Sequence, residues 1–479
     1  LTSSDHRTAA LPESTAPGSA AAPHHRPGIV LSVIVGCQLM IGLDTSVVTI
    51  ALPEVQRGLG LSTGGLAWIQ NAYMLAFGGL LLLGGRAGDV FGRRRTFAAG
   101  IALFTAASLL GGFADAGWWL LAARTAQGVA AAVAAPSAMA LIAVNFQGRA
   151  RVRALSVFSA VTGAGAAIGM IAGGVLTEAG SWRWVFFVNV PVGLVLLLVA
   201  PRVLAETPRR PGRFDLGGAV TSMLGMTALV YALIRAGEAG WHDRPALAAF
   251  GAAAVLLAAF LVVEKRARQP VMPLWLLTGR DRAASYLTQL CLTAAMFGSF
   301  FFLTQYLQQV LHYGPLRAGA AFLPMVGMQF AVVRLAPRLM ARLGARPLVI
   351  AGVVLLGTGL LALSRLSAGD GYAAGLLVPF LLMGAGGGLA ILPLNATILA
   401  SVDPEHAGAA SGVAQTMLWS GGSLGAAAMV TAYGSAAPGR GLLPGMDAAF
   451  TTGAVFAAAA LAVAVLVLRV RHEAAARPH

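Results

Sequence analysis

Apolar runs long enough to cross a bilayer recur along the whole chain, and a water-soluble fold has no use for so many of them. We place fourteen, at 29–52, 66–85, 96–114, 118–144, 154–176, 184–201, 215–235, 246–263, 284–311, 317–340, 347–365, 372–400, 408–434 and 449–469. Their length, without strict alternation, predicts helices rather than strands. Only 11% of residues are charged, against about 25% in a soluble protein. The fold class predicted is an all-α membrane protein of fourteen transmembrane helices.

A net charge of +15 raises the question of nucleic acid. The basic residues instead sit in short loops between spans, so no nucleic-acid partner is expected. The tails and even-numbered loops hold 24 of the Lys and Arg residues, and the odd-numbered loops hold 7. The positive-inside rule then puts both termini in the cytoplasm. Arg124 and Arg334 fall within spans. Residues 1–27 are rich in Ala, Pro and Ser and predict a disordered tail, with a second short tail at 471–479. The first apolar stretch is of full span length, so no cleavable signal is expected. Cys37 and Cys291 each lie in an apolar run and predict packing residues, not a disulfide.

A weak repeat divides the chain. "GRAGDVFGRRR" (85–95) follows span 2 and "PRLMARLGARP" (337–347) follows span 10, with Arg86, Gly92 and Arg94 matching Arg338, Gly344 and Arg346. Duplicated helix bundles are typical of transporters. The expected domains are two six-helix bundles, 28–201 and 283–470, with a linker at 202–282 carrying two extra helices.

Asp44 sits inside the first apolar run, where a charge is costly and therefore a functional candidate. Arg124 lies in span 4. Asp44 is nine residues before Pro53 and Arg124 seven after Gly117. At about 1.5 Å per residue, both sit some 10–13 Å from the same end of their spans, a depth that permits an ion pair. A static pair that merely locks two helices is the alternative to a coupling role.

Several motifs resemble those of the major facilitator superfamily. The loop after span 2 is similar to its signature loop, carried by Gly85, Asp89, Gly92, Arg93 and Arg94, with Ala87 and Val90 departing from it. The resemblance implies a latch between the bundles in the outward-facing state. "RTAQGVAAA" (124–132) resembles the fourth-helix motif, with Arg124, Gln127 and Gly128 in place, and implies that this arginine takes part in proton transfer. "LDTSVVTIALP" (43–53) and "VDPEHAGAASGVAQT" (402–416) resemble the fourteen-span drug:proton antiporter-2 branch. "GAGAAIGMIAGG" (163–174) is similar to the antiporter fifth-helix motif through Gly165, Gly169, Gly173 and Gly174. Met170 replaces its usual proline, which favours close packing over bending. The resemblance covers about residues 28–470 and implies the major facilitator fold.

"GGSLG" (421–425) matches a hydrolase pattern but lies in an apolar helix rather than a strand–turn–helix elbow. No nucleotide-binding, zinc or metalloprotease motif appears, so neither an enzyme nor a metal site is expected. No cofactor is expected, and the proton gradient is the implied energy source.

Substrate-facing residues are predicted from helix spacing. Tyr286, Gln289, Thr293, Met296 and Phe300 share one face of span 9. Gln38, Gln127, Asn395, Gln415 and Trp419 are further candidates. Arg334 either lines the cavity or snorkels to headgroups. A mixed polar, aromatic and methionine face suits amphipathic ligands. The function implied is proton-coupled export of drug-like or antibiotic molecules by a monomer in a bacterial cytoplasmic membrane, with lipids and protons as its other partners. A dedicated single-metabolite exporter and a transport-inactive membrane sensor are the alternatives.

Overall fold

The computed structural model describes residues 27–468, except 208, 210–213, 268, 271, 368 and 438–440. The predicted tails lie outside the described residues, apart from Pro27, where the first helix starts. Among the described residues there are fourteen long helices, matching the fourteen predicted spans. They are α1 (Pro27–Leu59), α2 (Thr63–Phe91), α3 (Arg93–Gly112), α4 (Gly117–Asn145), α5 (Gly148–Ala179), α6 (Trp184–Val203), α7 (Leu216–Ala239) and α8 (Arg244–Arg266). After these come α9 (Arg280–Val310), α10 (Pro315–Leu343), α11 (Ala345–Leu363), α12 (Tyr372–Ala400), α13 (Ala407–Ala436) and α14 (Leu442–Leu466).

Thirteen are long and apolar enough to cross a membrane. The other, α13, is diluted by glycine and serine, and those small residues have a packing role. A Cβ on Gly425 would lie 2.1 Å from the Ala294 carbonyl oxygen of α9, so only glycine permits this approach. The "GGSLG" run is thus helical, as expected.

Several helices outrun the predicted boundaries, because polar ends beyond the apolar window remain helical. α1 continues through Pro53 to Leu59. Pro53 lacks the N–H that the Thr49 carbonyl would accept. In the turn this loosens, the Ile50 carbonyl accepts a hydrogen bond from Gln308 Nε2 at 2.9 Å. α6 is broken at Val188, so that Asn189 opens its second piece. α9 ends in a π-helical turn, Tyr306–Val310.

Helices α1–α6 pack among themselves, as do α9–α14. The two groups meet through α2 against α13 and α5 against α10. α7 pairs with α8 and leans on both groups. Its Glu238 accepts from Ser62 Oγ at 2.9 Å, and its Leu233 carbonyl accepts from Thr431 Oγ1 at 2.6 Å.

The α5–α10 contact is a wedge. At the end bearing the odd-numbered loops, Cβ atoms on Gly174 and Gly319 would lie 2.5 Å from Leu316 Cα and 2.3 Å from the Met170 carbonyl. There the Leu316 amide also donates to Glu178 at 3.0 Å. α5 touches α10 mainly through its first seven residues, Pro315–Ala321. α5 meets the rest of α10 at Gly163, where a Cβ would lie 2.7 Å from the Phe330 ring, and toward the even-loop end Arg149, Arg151, Val152, Arg153, Leu335 and Leu343 are exposed.

Candidate functional site

The acid and the arginine expected at matching depth meet. Asp44 Oδ2 accepts from Arg124 Nη1 at 2.5 Å, and both residues are 1% exposed. A buried ion pair offsets its desolvation only when its remaining valences are also satisfied. That condition holds for the carboxylate. Asp44 Oδ1 accepts from Gln127 Nε2 and from Asn189 Nδ2, each at 2.9 Å. Arg124 donates through Nη1 to Gln127 Oε1 at 2.9 Å and through Nε to the Ile69 carbonyl at 3.3 Å. Its guanidinium lies 4.3 Å from the centroid of the Tyr73 ring, a cation–π contact. Ser108 Oγ accepts from Gln127 Nε2 at 2.8 Å and closes the network.

Five helices supply this site: α1, α2, α3, α4 and α6. Small residues bring them close enough. Cβ atoms on Gly169 and Gly173 of α5 would lie 2.8 Å from Ser46 Cβ and Val47 Cα, so α5 holds α1 in place around Asp44. Gly165 faces Leu39 and Gly42, whereas Gly174 faces α10 of the other group. Gly128 of α4 allows a similar approach to the Tyr73 carbonyl. Such a network can hold a charge in an apolar surround.

Sequence reasoning found Asp44 and Arg124 and placed Gln127 in the substrate cavity. Gln127 is instead fully buried and bonded to both members of the pair. Ser108, Asn189 and Tyr73 were missed. The available signal was a lone amide in the apolar run "VFFVNVPVG", five residues beyond Trp184 and hence near Asp44 in depth.

The loop between α2 and α3 binds mainly within its own helix group. Asp89 accepts from Arg93 at 2.9 Å. The Arg94 amide donates to Glu206 at 3.2 Å, and Arg94 Nη1 donates to the Leu204 carbonyl at 3.3 Å. Gly92 has φ +99°, and a Cβ there would lie 2.6 Å from Glu206. The positive φ favours glycine. Gly85 faces Pro136. Arg86 donates to Gln269, beyond α8, at 2.6 Å. Glu206 and Thr207, in the stretch read only as a linker, cap the start of α3.

The predicted substrate face of α9 splits in two. Tyr286, Gln289 and Thr293 are buried: Tyr286 donates to the Ala410 carbonyl at 3.0 Å, Gln289 to that of Ala414 at 3.1 Å, and Thr293 to that of Gln289 at 2.9 Å. Tyr286 and Gln289 tie α9 to α13, and Thr293 bonds within α9, whereas Gln289 Oε1 is buried without a hydrogen-bond partner. Met296 and Phe300 are only partly buried, Met296 beside Gly387 and Phe300 beside Phe297 and Phe322. Gln38 and Asn395 are also partly buried, and Asn395 donates to the Ile391 carbonyl at 3.1 Å. Gln415 and Arg334 are exposed. Trp419 is half-buried, its ring 4.7 Å from Phe77 and 5.7 Å from Phe297.

A family model described as the Major Facilitator Superfamily matches residues 34–426. The chain is 41% identical over 448 residues to the puromycin resistance protein of Streptomyces alboniger, covering 91% of this chain and 89% of that one. It is 40% identical over 416 residues to the cephamycin export protein of Amycolatopsis lactamdurans, covering 85% and 86%. The crystal structure of an auto-inhibited POT family peptide transporter superposes with a TM-score of 0.66 at 17% identity, covering 94% and 99% of the two chains. That likeness carries the fold alone. Together with the fourteen helices and the buried pair, these matches show that the chain is a multi-pass membrane protein of a transporter family, not an enzyme, and that it belongs to the Major Facilitator Superfamily.

Proposed function

We propose that the protein exports amphipathic, antibiotic-like molecules across the cytoplasmic membrane in exchange for protons. The single observation that carries this reading is the buried ion pair of Asp44 and Arg124, with both carboxylate oxygens bonded. A carboxylate kept at this cost in an apolar helix has a use for its charge. Protonation neutralises Asp44, and Arg124 then loses its partner. Rebuilding the pair expels the proton. A substrate that favours the charged pair therefore competes with the proton, which is the requirement for antiport.

The positive-inside bias supports placing both termini and the even-numbered loops in the cytoplasm. In that orientation the wedge between α5 and α10 opens inward, the posture for loading substrate. Rocking of α1–α6 against α9–α14 would reverse it. Asp89 and Arg93, now bonded to each other, become available to latch the opposite posture. The relatives named for puromycin resistance and cephamycin export support an antibiotic cargo. The cephamycin relative also favours a second reading, a dedicated exporter of one compound. The protein acts as a monomer in this scheme.

The test uses everted membrane vesicles energised by respiration. The expected result is puromycin uptake that collapses with a protonophore and is absent from vesicles lacking the protein. Uptake that survives the protonophore contradicts proton coupling. A panel in which a single compound is transported supports the dedicated exporter, and no transport of any compound supports a sensor.

A further inference from the structure

The Asp44–Arg124 pair lies wholly within α1–α6, yet antiport requires it to respond to what lies between the two helix groups. One set of contacts joins them. The face of the Tyr73 ring carries the Arg124 guanidinium at 4.3 Å. Trp419, on α13 of the other group, meets Tyr73 edge to face, with centroids 6.1 Å apart and planes at 80°. Trp419 also rests on Phe77 and Phe297. Gly78 admits it, since a Cβ there would lie 2.7 Å from Trp419 Cβ. Thr416 Oγ1 donates to the Gly78 carbonyl at 3.1 Å and fixes the register one turn away. Tyr73 is fully buried, whereas Trp419 is only partly buried.

Aromatic contacts of this kind are directional, and a guanidinium over a ring face moves with that ring. Trp419 belongs to the helix that must shift against α2 whenever the groups rock. It is therefore the side chain through which events in the cleft reach Arg124 mechanically.

We infer that Trp419 is a positioning residue for proton exchange: a planar aromatic or cationic substrate group resting on it presses it onto Tyr73, which holds Arg124 against Asp44. The Asp44 proton then leaves for bulk water as the carboxylate closes on the guanidinium. When rocking carries α13 and Trp419 away from α2, the stack opens, Arg124 withdraws, and Asp44 takes a proton. This inference rests on the proton-coupled reading above.

The full-length protein in weakly buffered detergent provides the test. Proton release is followed with a pH dye and binding with radiolabelled puromycin at saturation. The wild type is expected to release a proton for each puromycin bound. Trp419→Ala is expected to keep binding within about tenfold while release per bound puromycin falls at least fivefold, and Trp419→Phe, which keeps an aromatic ring, to restore most of it. Tyr73→Leu should reproduce the alanine defect from the other side of the contact. Wild-type release from Trp419→Ala overturns the inference and leaves the proton-coupled reading intact, as does a phenylalanine variant as silent as the alanine one. Loss of puromycin binding in both Trp419 variants also overturns it, because Trp419 would then be an ordinary substrate contact. Binding without proton release in the wild type overturns the proton-coupled reading, and the inference with it.

Discussion

Among the described residues, the first helix group buries charge within its spans, and the second buries only neutral polar groups in mid-span. In α1–α6 three of the buried polar side chains converge: Gln127, Asn189 and Ser108 serve one carboxylate and one guanidinium. In α9 they disperse. Tyr286, Gln289, Thr293, Ser299 and Thr304 each donate to a backbone carbonyl of their own or the adjoining helix. Buried Arg282 stands at the even-loop end of α9, bonded to the carbonyls of Trp275, Leu276 and Ser401. A shared architecture is thus used in two ways, one group holding a buried ion pair and the other holding helices together beside an aromatic surface.

That contrast can be broken by substitution. The largest stability effect is expected from Arg124→Leu, which strands a buried carboxylate and should cost about 3–5 kcal/mol. The double variant Asp44→Leu/Arg124→Leu should recover much of this, because neither charge remains. Thermal unfolding in detergent reads both, and a double variant no more stable than the single one contradicts the account. Next come the close helix contacts, which should behave alike in both groups. Gly173→Leu and Gly425→Leu each force apart backbones in near contact, at a cost of about 1–3 kcal/mol. A large difference between them in the same assay would mean that one group yields where the other does not.

Asn189→Ala removes one of the donors to Asp44. It should lower stability by about 1–2 kcal/mol and displace the pH profile of puromycin transport, since the carboxylate loses a bond made to its charged form. An unmoved profile would make Asn189 structural only. The smallest effect is expected from Tyr286→Phe, about 1 kcal/mol for one hydrogen bond between α9 and α13. Its pH profile should match the wild type, and a displaced profile would erase the distinction between the two groups.

The spans and the pairing of Asp44 with Arg124 were legible in the sequence because they rest on long-range hydropathy and depth, which survive without knowledge of helix rotation. The rest depends on rotation. Tyr286, Gln289 and Thr293 were assigned to one face correctly, but spacing cannot say whether that face meets a cavity or a neighbouring helix. Gln127 sits three residues from Arg124 and faces the same partner, which the motif alone did not reveal. Asn189 enters the site through the break at Val188, a local departure from helix that hydropathy does not register. Glu206 was hidden in a basic, Pro-rich stretch whose composition suggests a linker, yet it caps α3.

The central claim is that Asp44 carries the exchanged proton rather than merely locking α1 to α4. The direct measurement compares wild type and Asp44→Asn in proteoliposomes, following puromycin exchange at equal concentrations on both sides and accumulation under an imposed proton gradient. The account predicts that Asp44→Asn retains exchange and loses gradient-driven accumulation. Accumulation by the variant at the wild-type level, with exchange intact, would contradict it.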